Sequence, residues 1–304
     1  MFLLVFVICS LYITCKKEQS LMKLPQIIID DLVRRALLED LGHGHDSTTQ
    51  ALIPEGQRGK MVMRAREDGC LAGIDIAAAT FRIFDPELKI TRHLEDGCVL
   101  SKNREILTIE GAAQSILGAE RTALNFISHL CGIATLTQNY VQEIRGTKAT
   151  IACTRKTLPG LRAVQKYAVR AGGGKNHRFG LDDGLLIKDN HIALAGGVAR
   201  AIQRARLHTG HMVKIEIEID TLDQLEEALA HKIDAVLLDN MKPDHLREAV
   251  QMIDGRALAE ASGNVTLQTV RAIAETGVDI ISIGALTHSV TALDIGLDDG
   301  GQNP

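Results

Sequence analysis

Residues 213–240 read VKIEIEIDTLDQLEEALAHKIDAVLLDN, and this stretch decides the fold. Val213–Ile219 and Ala235–Leu238 are short apolar runs, which is the pattern of buried strands. Between them, Leu222–His231 has its apolar residues at helical spacing. A strand, a helix and a second strand in this order predict a β–α–β unit with two parallel strands.

The same alternation of apolar runs and helical stretches fills the chain after Gly146. Four further strands are predicted at Thr150–Cys153, Leu185–Ile187, Ala257–Ala261 and Asp279–Ile283. Repeated β–α units in one domain predict either a TIM-like barrel or an open, doubly wound sheet. Because the chain ends soon after the sixth or seventh of these strands, a barrel would be incomplete.

The region before Gly146 has a different pattern. We predict helices at Gln26–Leu41, at Gly73–Phe84 and from Ala112 to about Arg145, the last interrupted near Gly132. The predicted strands are Lys60–Ala65, Leu88–Leu94 and Glu105–Glu110. Strands combined with a cluster of helices predict a separate small α+β domain.

The composition restricts the class of protein. Hydrophobic residues make up 45% of the 304 residues, whereas aromatic residues make up only 3% and Trp is absent. The core is therefore expected to consist mainly of aliphatic side chains. A formal net charge of -4 argues against a general nucleic-acid-binding protein. None of the six cysteines forms a CxxC pair, which favours a reducing cytoplasm.

Residues 1–22 form a hydrophobic extension that we do not expect to belong to the fold. Its apolar run, Met1–Cys15, is short for a membrane span. Lys16 and Lys17 follow the run, whereas a secretory signal has its basic residues in front. We expect Met22 to be the native start, and a genuine membrane anchor is the alternative.

Polar residues or glycines follow five of the predicted strands of the second region, and two glutamates lie near the end of the remaining strand. They are Thr154–Lys156, Lys188–His191, Glu216 with Glu218, Asp239–Asn240, Ser262–Gly263 and Gly284. In a parallel barrel, the carboxyl ends of the strands converge on one rim, where active sites of this architecture are built. Six such coincidences predict an active site at this rim.

Basic side chains dominate residues 154–191. Arg155, Lys156, His177, Arg178, Lys188 and His191 outnumber Asp182, Asp183 and Asp189. Because guanidinium groups match carboxylates and phosphates in two-point geometry, this half of the rim is expected to hold a polyanionic small molecule. In contrast, we interpret Arg162, Lys166 and Arg170 as a solvated helix face, because they lie at helical spacing.

Glu218 and Asp239 lie at the ends of neighbouring strands and offer the hard oxygen ligands that Mg²⁺ prefers. Glu216 shares a strand face with Glu218, so that both can point inward. We favour Glu218, which lies nearer the strand end. A structural ion pair is the alternative for either glutamate.

The last two strands are followed by Ser262–Gly263 and by Gly284. Loops at these positions of a barrel commonly bind a phosphate through backbone N–H groups. His288 can add a further donor.

Seven strings resemble those of the quinolinate phosphoribosyltransferases. They are RTALN (121–125), TRKT (154–157), AGGGKNHRFGLDDGLLIKDNH (171–191), EIEI (216–219), LLDN (237–240), EASGN (260–264) and GALTHS (284–289). The resemblance extends from about Leu24 to the C-terminus, and the hydrophobic extension before Met22 departs from it.

The resemblance implies an α/β fold with an N-terminal α/β sandwich domain and an incomplete, seven-stranded, TIM-like barrel. We place these domains at 23–130 and 131–304, with a C-terminal tail able to pack on the first domain. It also implies a homodimer in which Arg121 is donated across the interface. From the residues alone, Arg121 would be interpreted as a solvated helix residue.

The implied reaction transfers phosphoribosyl from phosphoribosyl pyrophosphate to quinolinate with decarboxylation, which gives nicotinate mononucleotide for NAD biosynthesis. The resemblance assigns the two quinolinate carboxylates to Arg155, His177, Arg178 and Lys188. It places Lys156 near the reaction centre, Glu218 and Asp239 on Mg²⁺ and the ribose or pyrophosphate, and Ser262, Gly263, Gly284 and His288 on the sugar phosphate.

Three alternatives stay open at this point. A related phosphoribosyltransferase, such as the molybdenum-associated paralogues, would keep the fold and change the acceptor. A membrane-tethered dicarboxylate-binding protein would explain the apolar run Met1–Cys15 but would not need Glu218 and Asp239. A metal-dependent barrel lyase would leave the basic half of the rim unexplained.

Overall fold

The computed structural model describes residues 21–300, so the apolar run Met1–Cys15 lies outside the described part of the chain. The chain divides into two compact units. Of the described residues, the first unit contains 21–135 and 291–300, and the second contains 136–290. Within residues 21–300, no helix is long and apolar enough to cross a membrane.

The first unit is an α/β domain built on a four-stranded antiparallel sheet. Its elements are α1 (Gln26–Leu41), α2 (Ser47–Leu52), β1 (Arg58–Ala65), β2 (Gly69–Cys70), α3 (Ile74–Phe84), β3 (Lys89–Arg92), β4 (Val99–Leu100), β5 (Glu105–Ala112), the start of α4 (Ala113–Glu143) and β12 (Ile295–Asp299). The sheet has the order β12-β1-β5-β3, and β2 pairs with β4. Its core is mainly aliphatic and includes the buried ring of Phe81.

The end of the chain belongs to the first unit. Strand β12 pairs antiparallel with β1, with Met61 opposite Asp299 and Ala65 opposite Ile295. The sheet is therefore completed by residues that follow the whole second unit in sequence.

Helix α4 is continuous, so the interruption predicted near Gly132 is wrong. A Cβ atom at position 132 would collide with the main-chain carbonyl of Thr291. The glycine therefore allows two backbone segments of the first unit to approach closely and does not end the helix.

The second unit is a parallel sheet covered by helices. Its elements after α4 are β6 (Thr150–Ala152), α5 (Arg162–Ala171), β7 (Leu185–Ile187), α6 (Asp189–Ala195), α7 (Val198–His208), β8 (Ile215–Ile219), α8 (Leu222–Leu229), β9 (Ala235–Asp239), α9 (Pro243–Ile253), β10 (Leu258–Ser262), α10 (Val270–Ala274), β11 (Ile280–Ser282) and α11 (Ala285–His288). The strand order is β6-β11-β10-β9-β8-β7.

A seventh position in this sheet is occupied by one residue. Lys175 forms an isolated parallel bridge with Ala152 of β6. Within residues 136–290, no ladder joins this bridge to β7 at the other edge of the sheet. The expected α/β fold with an incomplete barrel is confirmed.

Strand β8 shows how the sequence produces this arrangement. Ile215, Ile217 and Ile219 are fully buried, whereas Glu216 and Glu218 alternate with them on the opposite face. The following helix begins after Thr221, whose hydroxyl accepts a hydrogen bond from the backbone N–H of Gln224 at 3.3 Å. The isoleucine face packs in the core, and the glutamate face is left for the barrel interior and the rim.

Candidate active site

The strand ends of the second unit meet at one edge, as parallel topology requires. The Lys188 ammonium, after β7, lies 3.4 Å from a carboxylate oxygen of Glu218 at the end of β8. The hydroxyl of Thr287, after β11, donates to the carbonyl of Lys156, after β6, at 2.7 Å. Side chains that are far apart in sequence are therefore neighbours at this edge.

Two guanidinium groups, Arg155 and Arg178, lie near each other at this edge, and the charges of Glu216 and Asp183 also act on Arg178. Arg155 is half-buried, and its Nε has no hydrogen-bond partner within residues 21–300. Burial and the nearby charge of Arg155 lower the pKa of Arg178. Arg178 donates to the carbonyl of Gly184 at 3.2 Å. Because two neighbouring cations repel each other, this arrangement is suited to an anion that lies between them.

Glu218 and Asp239 are two half-buried carboxylates on adjacent strands. Burial raises the pKa of Glu218, the charge of Lys188 opposes this change, and the charge of Asp239 adds to it. Burial also raises the pKa of Asp239, against a hydrogen bond of 2.6 Å from the side-chain amide of Asn240. Two half-buried carboxylates whose pKa values are both raised form a donor set that fits a divalent cation such as Mg²⁺.

The backbone after β10 is shaped for close approach to a ligand. Gly263 has φ +94°, and a Cβ atom there would overlap the side chain of Asn240. Asn240 itself has φ 52°, and its backbone N–H donates to the carbonyl of Ser262 at 2.9 Å. The amide of Asn264 donates to the side-chain oxygen of Asn240 at 3.0 Å. Only glycine fits at position 263 without strain.

Gly284 lies beside two other side chains that the sequence assigned to the site. A Cβ atom on Gly284 would lie 3.0 Å from Nε2 of His288 and 3.1 Å from Cδ of Lys156. His288 contacts the hydroxyl of Ser289 through Nδ1 at 2.6 Å. The end of β11 thus brings Gly284, His288 and Lys156 together.

His177 is held differently from the residues at the strand ends. Its Nε2 lies 2.9 Å from a carboxylate oxygen of Glu216 and 3.6 Å from one of Glu260. Its Nδ1 accepts a hydrogen bond from the backbone N–H of Arg178 at 2.7 Å. Both ring nitrogens are therefore engaged within the chain, and a contact between this ring and a substrate carboxylate stays a prediction.

Glu260 is a site residue that the sequence reasoning missed. It is 3% exposed in the middle of β10. Burial, with the adjacent charge of Glu216, raises the pKa of Glu260 to about 7. Burial lowers the pKa of His177, but the two glutamates outweigh this effect and raise it overall. The signal in the sequence was a single acidic residue inside the apolar run LAEAS.

Lys166 is not part of a solvated helix face, and that interpretation is wrong. It is 1% exposed. Its ammonium donates to the carbonyl of His177 at 2.9 Å and to the sulfur of Cys153 at 3.1 Å. Helical spacing on α5 could not reveal this burial, because the amphipathic pattern treats every lysine as a surface residue.

Arg121 belongs to the first unit, where it lies on α4 and is exposed in the single chain. Its charge acts on the neighbouring Glu120, whose pKa is raised chiefly by burial. The donation of Arg121 to the site of a second subunit stays a prediction.

Two family models match nearly all of the described chain. Residues 46–131 match the model described as quinolinate phosphoribosyl transferase, N-terminal domain. Residues 133–298 match the model described as quinolinate phosphoribosyl transferase, C-terminal domain.

Individual relatives agree with the family models. The chain is 48% identical over 273 residues to the nicotinate-nucleotide pyrophosphorylase [carboxylating] of Mycobacterium leprae, covering 88% of this chain and 96% of that protein. A probable enzyme of the same name from Bacillus subtilis is 44% identical, with 88% and 92% covered. The crystal structure of NadC from Streptococcus pyogenes superimposes with a TM-score of 0.88 at 39% identity, covering 91% of this chain and 98% of that one. The chain therefore belongs to the quinolinate phosphoribosyltransferase family.

Proposed function

We propose that the protein transfers the phosphoribosyl group of phosphoribosyl pyrophosphate to quinolinate and removes the 2-carboxylate, giving nicotinate mononucleotide, CO₂ and pyrophosphate. The observation that carries this proposal is the paired charge at the strand ends. The Arg155 and Arg178 guanidiniums lie near each other, whereas Glu218 and Asp239 occupy the neighbouring strands. Such an edge suits a substrate dianion beside a metal-bound diphosphate.

The basic residues hold quinolinate. Arg155, Arg178 and Lys188 stabilise its two carboxylates by charge-assisted hydrogen bonds. A pocket that binds a carboxylate most tightly opposes its loss as CO₂. The strongest arginine contacts therefore fall on the retained 3-carboxylate, and they fix the ring nitrogen for attack on the anomeric carbon.

The other half of the edge holds phosphoribosyl pyrophosphate. Glu218 and Asp239 would hold Mg²⁺, which when bound would supply positive charge for the pyrophosphate leaving group. Lys156, beside Gly284, adds a positive charge near the reaction centre. The 5-phosphate lies against the backbone of Ser262, Gly263 and Gly284 and the ring of His288.

The electron balance of the decarboxylation explains why the chain needs no further electron sink. After the ring nitrogen has bonded to the sugar it carries a positive charge. The bond between C2 and the carboxylate then breaks, CO₂ departs and the electron pair stays on C2 beside the cationic nitrogen. A proton from water completes the product. The contribution of the protein is to position the substrates and to stabilise their charges.

The functional unit is a homodimer in the cytoplasm, and Arg121 of each subunit completes the site of its partner. This arrangement requires Arg121 to be exposed in the single chain, and it is exposed on α4.

The test is turnover of quinolinate with phosphoribosyl pyrophosphate, followed as nicotinate mononucleotide, with and without Mg²⁺. Nicotinate serves as a parallel acceptor that already lacks the 2-carboxylate. We expect product from quinolinate only, and only with Mg²⁺. Absence of product from quinolinate would overturn the proposed function.

A further inference from the structure

A buried network of four charged or ionisable side chains lies beneath the strand ends. It consists of Lys166, His177, Glu216 and Glu260, and the side chains of the last three are 13%, 12% and 3% exposed, respectively. One nitrogen or oxygen atom of each of these three residues lies within 4.8 Å of those of the other two. Charges so poorly exposed are costly to bury, and the fold retains them only if they are well compensated or functional.

We propose that Glu216, Glu260 and Lys166 are positioning residues that hold His177 and, through His177, set the place of Arg178 for the acceptor substrate. This proposal rests on the proposed function, because it names quinolinate as the acceptor whose carboxylate Arg178 meets.

The segment that carries Arg178 needs such an anchor. Residues 176–184 contain no helix or strand, and they connect the one-residue bridge at Lys175 to β7 across the open side of the barrel. Without a ladder on that side, the backbone of this segment is fixed by hydrogen bonds from side chains.

His177 provides three of these anchor points. Its Nε2 hydrogen is donated to Glu216 at 2.9 Å, its Nδ1 accepts from the backbone N–H of Arg178 at 2.7 Å, and its carbonyl accepts from Lys166 at 2.9 Å. Because Nδ1 acts as an acceptor, the proton of the neutral ring must lie on Nε2, and Glu216 fixes this tautomer. The ring therefore connects the barrel interior to the main chain of Arg178.

Lys166 contacts both the segment that carries Arg178 and Cys153, which lies close to Arg155 in sequence. Besides the His177 carbonyl, its ammonium contacts the sulfur of Cys153 at 3.1 Å. Cys153 is fully buried and precedes Arg155 by two residues. One buried cation thus contacts the side chain of Cys153, two residues before Arg155, and the backbone carbonyl of His177, the residue before Arg178.

Glu260 completes the network from β10. It faces Glu216, His177 and Ser282, and one of its carboxylate oxygens is buried without a hydrogen-bond partner within residues 21–300. A cavity of about 730 Å³ reaches both glutamates and is bordered by residues of the 176–184 segment. Glu260, the charged residue of β10, therefore borders the same cavity as Glu216 and the 176–184 segment and lies 3.6 Å from the ring of His177.

The proposal predicts an effect confined to one substrate. The residues proposed to bind phosphoribosyl pyrophosphate are Lys156 after β6 and groups at the carboxyl ends of β8, β9, β10 and β11. The network, in contrast, acts on the segment before β7. A loss of positioning should weaken the binding of quinolinate and leave that of phosphoribosyl pyrophosphate unchanged.

The decisive variants are Glu216→Ala and Glu216→Gln, assayed for the Michaelis constants of both substrates. In Glu216→Ala, we expect the constant for quinolinate to rise about tenfold or more, as for loss of a hydrogen bond to a charged group, with that for phosphoribosyl pyrophosphate within about twofold. In Glu216→Gln, the amide oxygen can still accept from Nε2, so part of the affinity should return. Lys166→Met provides a second route, and it should raise the same constant.

Leu246→Ala is the matched control for a general loss of stability. Leu246 is 1% exposed on α9, and its truncation creates a cavity in the second unit without touching the site. At an equal loss of thermal stability, it should leave both Michaelis constants unchanged.

Two results would count against the proposal and are distinguishable. Absence of quinolinate turnover in the unsubstituted protein would overturn the proposed function and this inference with it. Normal turnover in that protein, with a quinolinate constant in Glu216→Ala and Lys166→Met no different from that in Leu246→Ala, would overturn the positioning role alone.

Discussion

Glu216 and Glu218 lie two residues apart on the same face of β8, yet their surroundings differ. Glu218 lies at the end of the strand, where Lys188 is its partner at 3.4 Å. Glu216 lies one pleat deeper, against His177 and near a second carboxylate. Under the proposed roles, depth along a barrel strand separates the groups that bind substrate and metal from the groups that hold those binding residues in place.

The largest effect is expected from neutralising the outer carboxylates, Glu218 and Asp239. In Asp239→Asn and Glu218→Gln, we expect kcat/KM to fall about 100- to 1,000-fold, the size of losing one preorganised electrostatic contact in a transition state. The amides bind a divalent cation weakly, so the Mg²⁺ concentration needed for half-maximal rate should rise as well.

Asp223→Asn is the control for the outer carboxylates, because Asp223 is exposed in the first turn of α8 and should have no effect. An unchanged Mg²⁺ dependence in both site variants would exclude these carboxylates as the ligands.

Arg155→Ala tests the basic half of the edge. We expect the Michaelis constant for quinolinate to rise about 10- to 100-fold, because a hydrogen bond to a charged group contributes about 1.5–3 kcal/mol. Arg200→Ala, which removes an exposed arginine from α7, should leave the constant unchanged. Near-normal quinolinate kinetics in Arg155→Ala would remove this residue from the substrate site.

The positions of the outer residues were predictable from the sequence, whereas the burial of Lys166 and Glu260 was not. Lys188, Glu218 and Asp239 were assigned because each lies at the end of an apolar run, and parallel strands bring such positions to one edge. This reasoning uses only the length and order of the runs.

Lys166 and Glu260 have no such signal. The helical spacing of Lys166 predicted a solvated face, and Glu260 is a lone acid in a strand. Their burial depends on which side chains meet inside the barrel, namely His177 with Glu260 and Lys166 with the carbonyl of His177. Contacts of this kind are set by three-dimensional packing, which a one-dimensional pattern does not contain.

Two predicted features of the fold illustrate the same limit. The first helix, Gln26–Leu41, has the predicted bounds because its apolar spacing and the following glycine are local signals. The break expected at Gly132 is absent. The glycine instead leaves room for the backbone carbonyl of Thr291, which packs closely against the helix. Local sequence signals were sufficient to predict the bounds of the first helix, whereas a long-range backbone contact explains the glycine at position 132.

Gly263→Ala tests whether the loop after β10 binds phosphoribosyl pyrophosphate. At φ +94°, an alanine is strained and its Cβ overlaps the side chain of Asn240. A strain of about 1–3 kcal/mol should move the loop and raise the Michaelis constant for phosphoribosyl pyrophosphate about tenfold, with little change for quinolinate. Gly255→Ala, also at positive φ but with open space around it, is the matched control for backbone strain alone.

The smallest expected effect concerns the pH dependence of stability, and it comes from the buried carboxyl group of Glu260 beside Glu216. Because burial and the charge of Glu216 raise the pKa of Glu260 to about 7, the folded protein retains this proton at a pH at which the unfolded chain has released it. The stabilisation from this group is thus fully present below a pH of about 4.5, the usual pKa of glutamate. It is lost as the pH rises to about 7.

Glu260→Gln should remove this dependence, because the amide resembles the protonated acid and cannot ionise. The free energy of unfolding of the unsubstituted protein should therefore fall relative to that of Glu260→Gln by at most about 1 kcal/mol per pH unit between pH 5 and 7. Chemical denaturation at several pH values measures the difference. His177, whose pKa is also raised, acts in the same direction but mainly above its ordinary value of 6.5. Parallel pH curves for the two proteins below pH 6.5 would mean that Glu260 is already ionised, and that Lys166 and His177 compensate the charge of both glutamates.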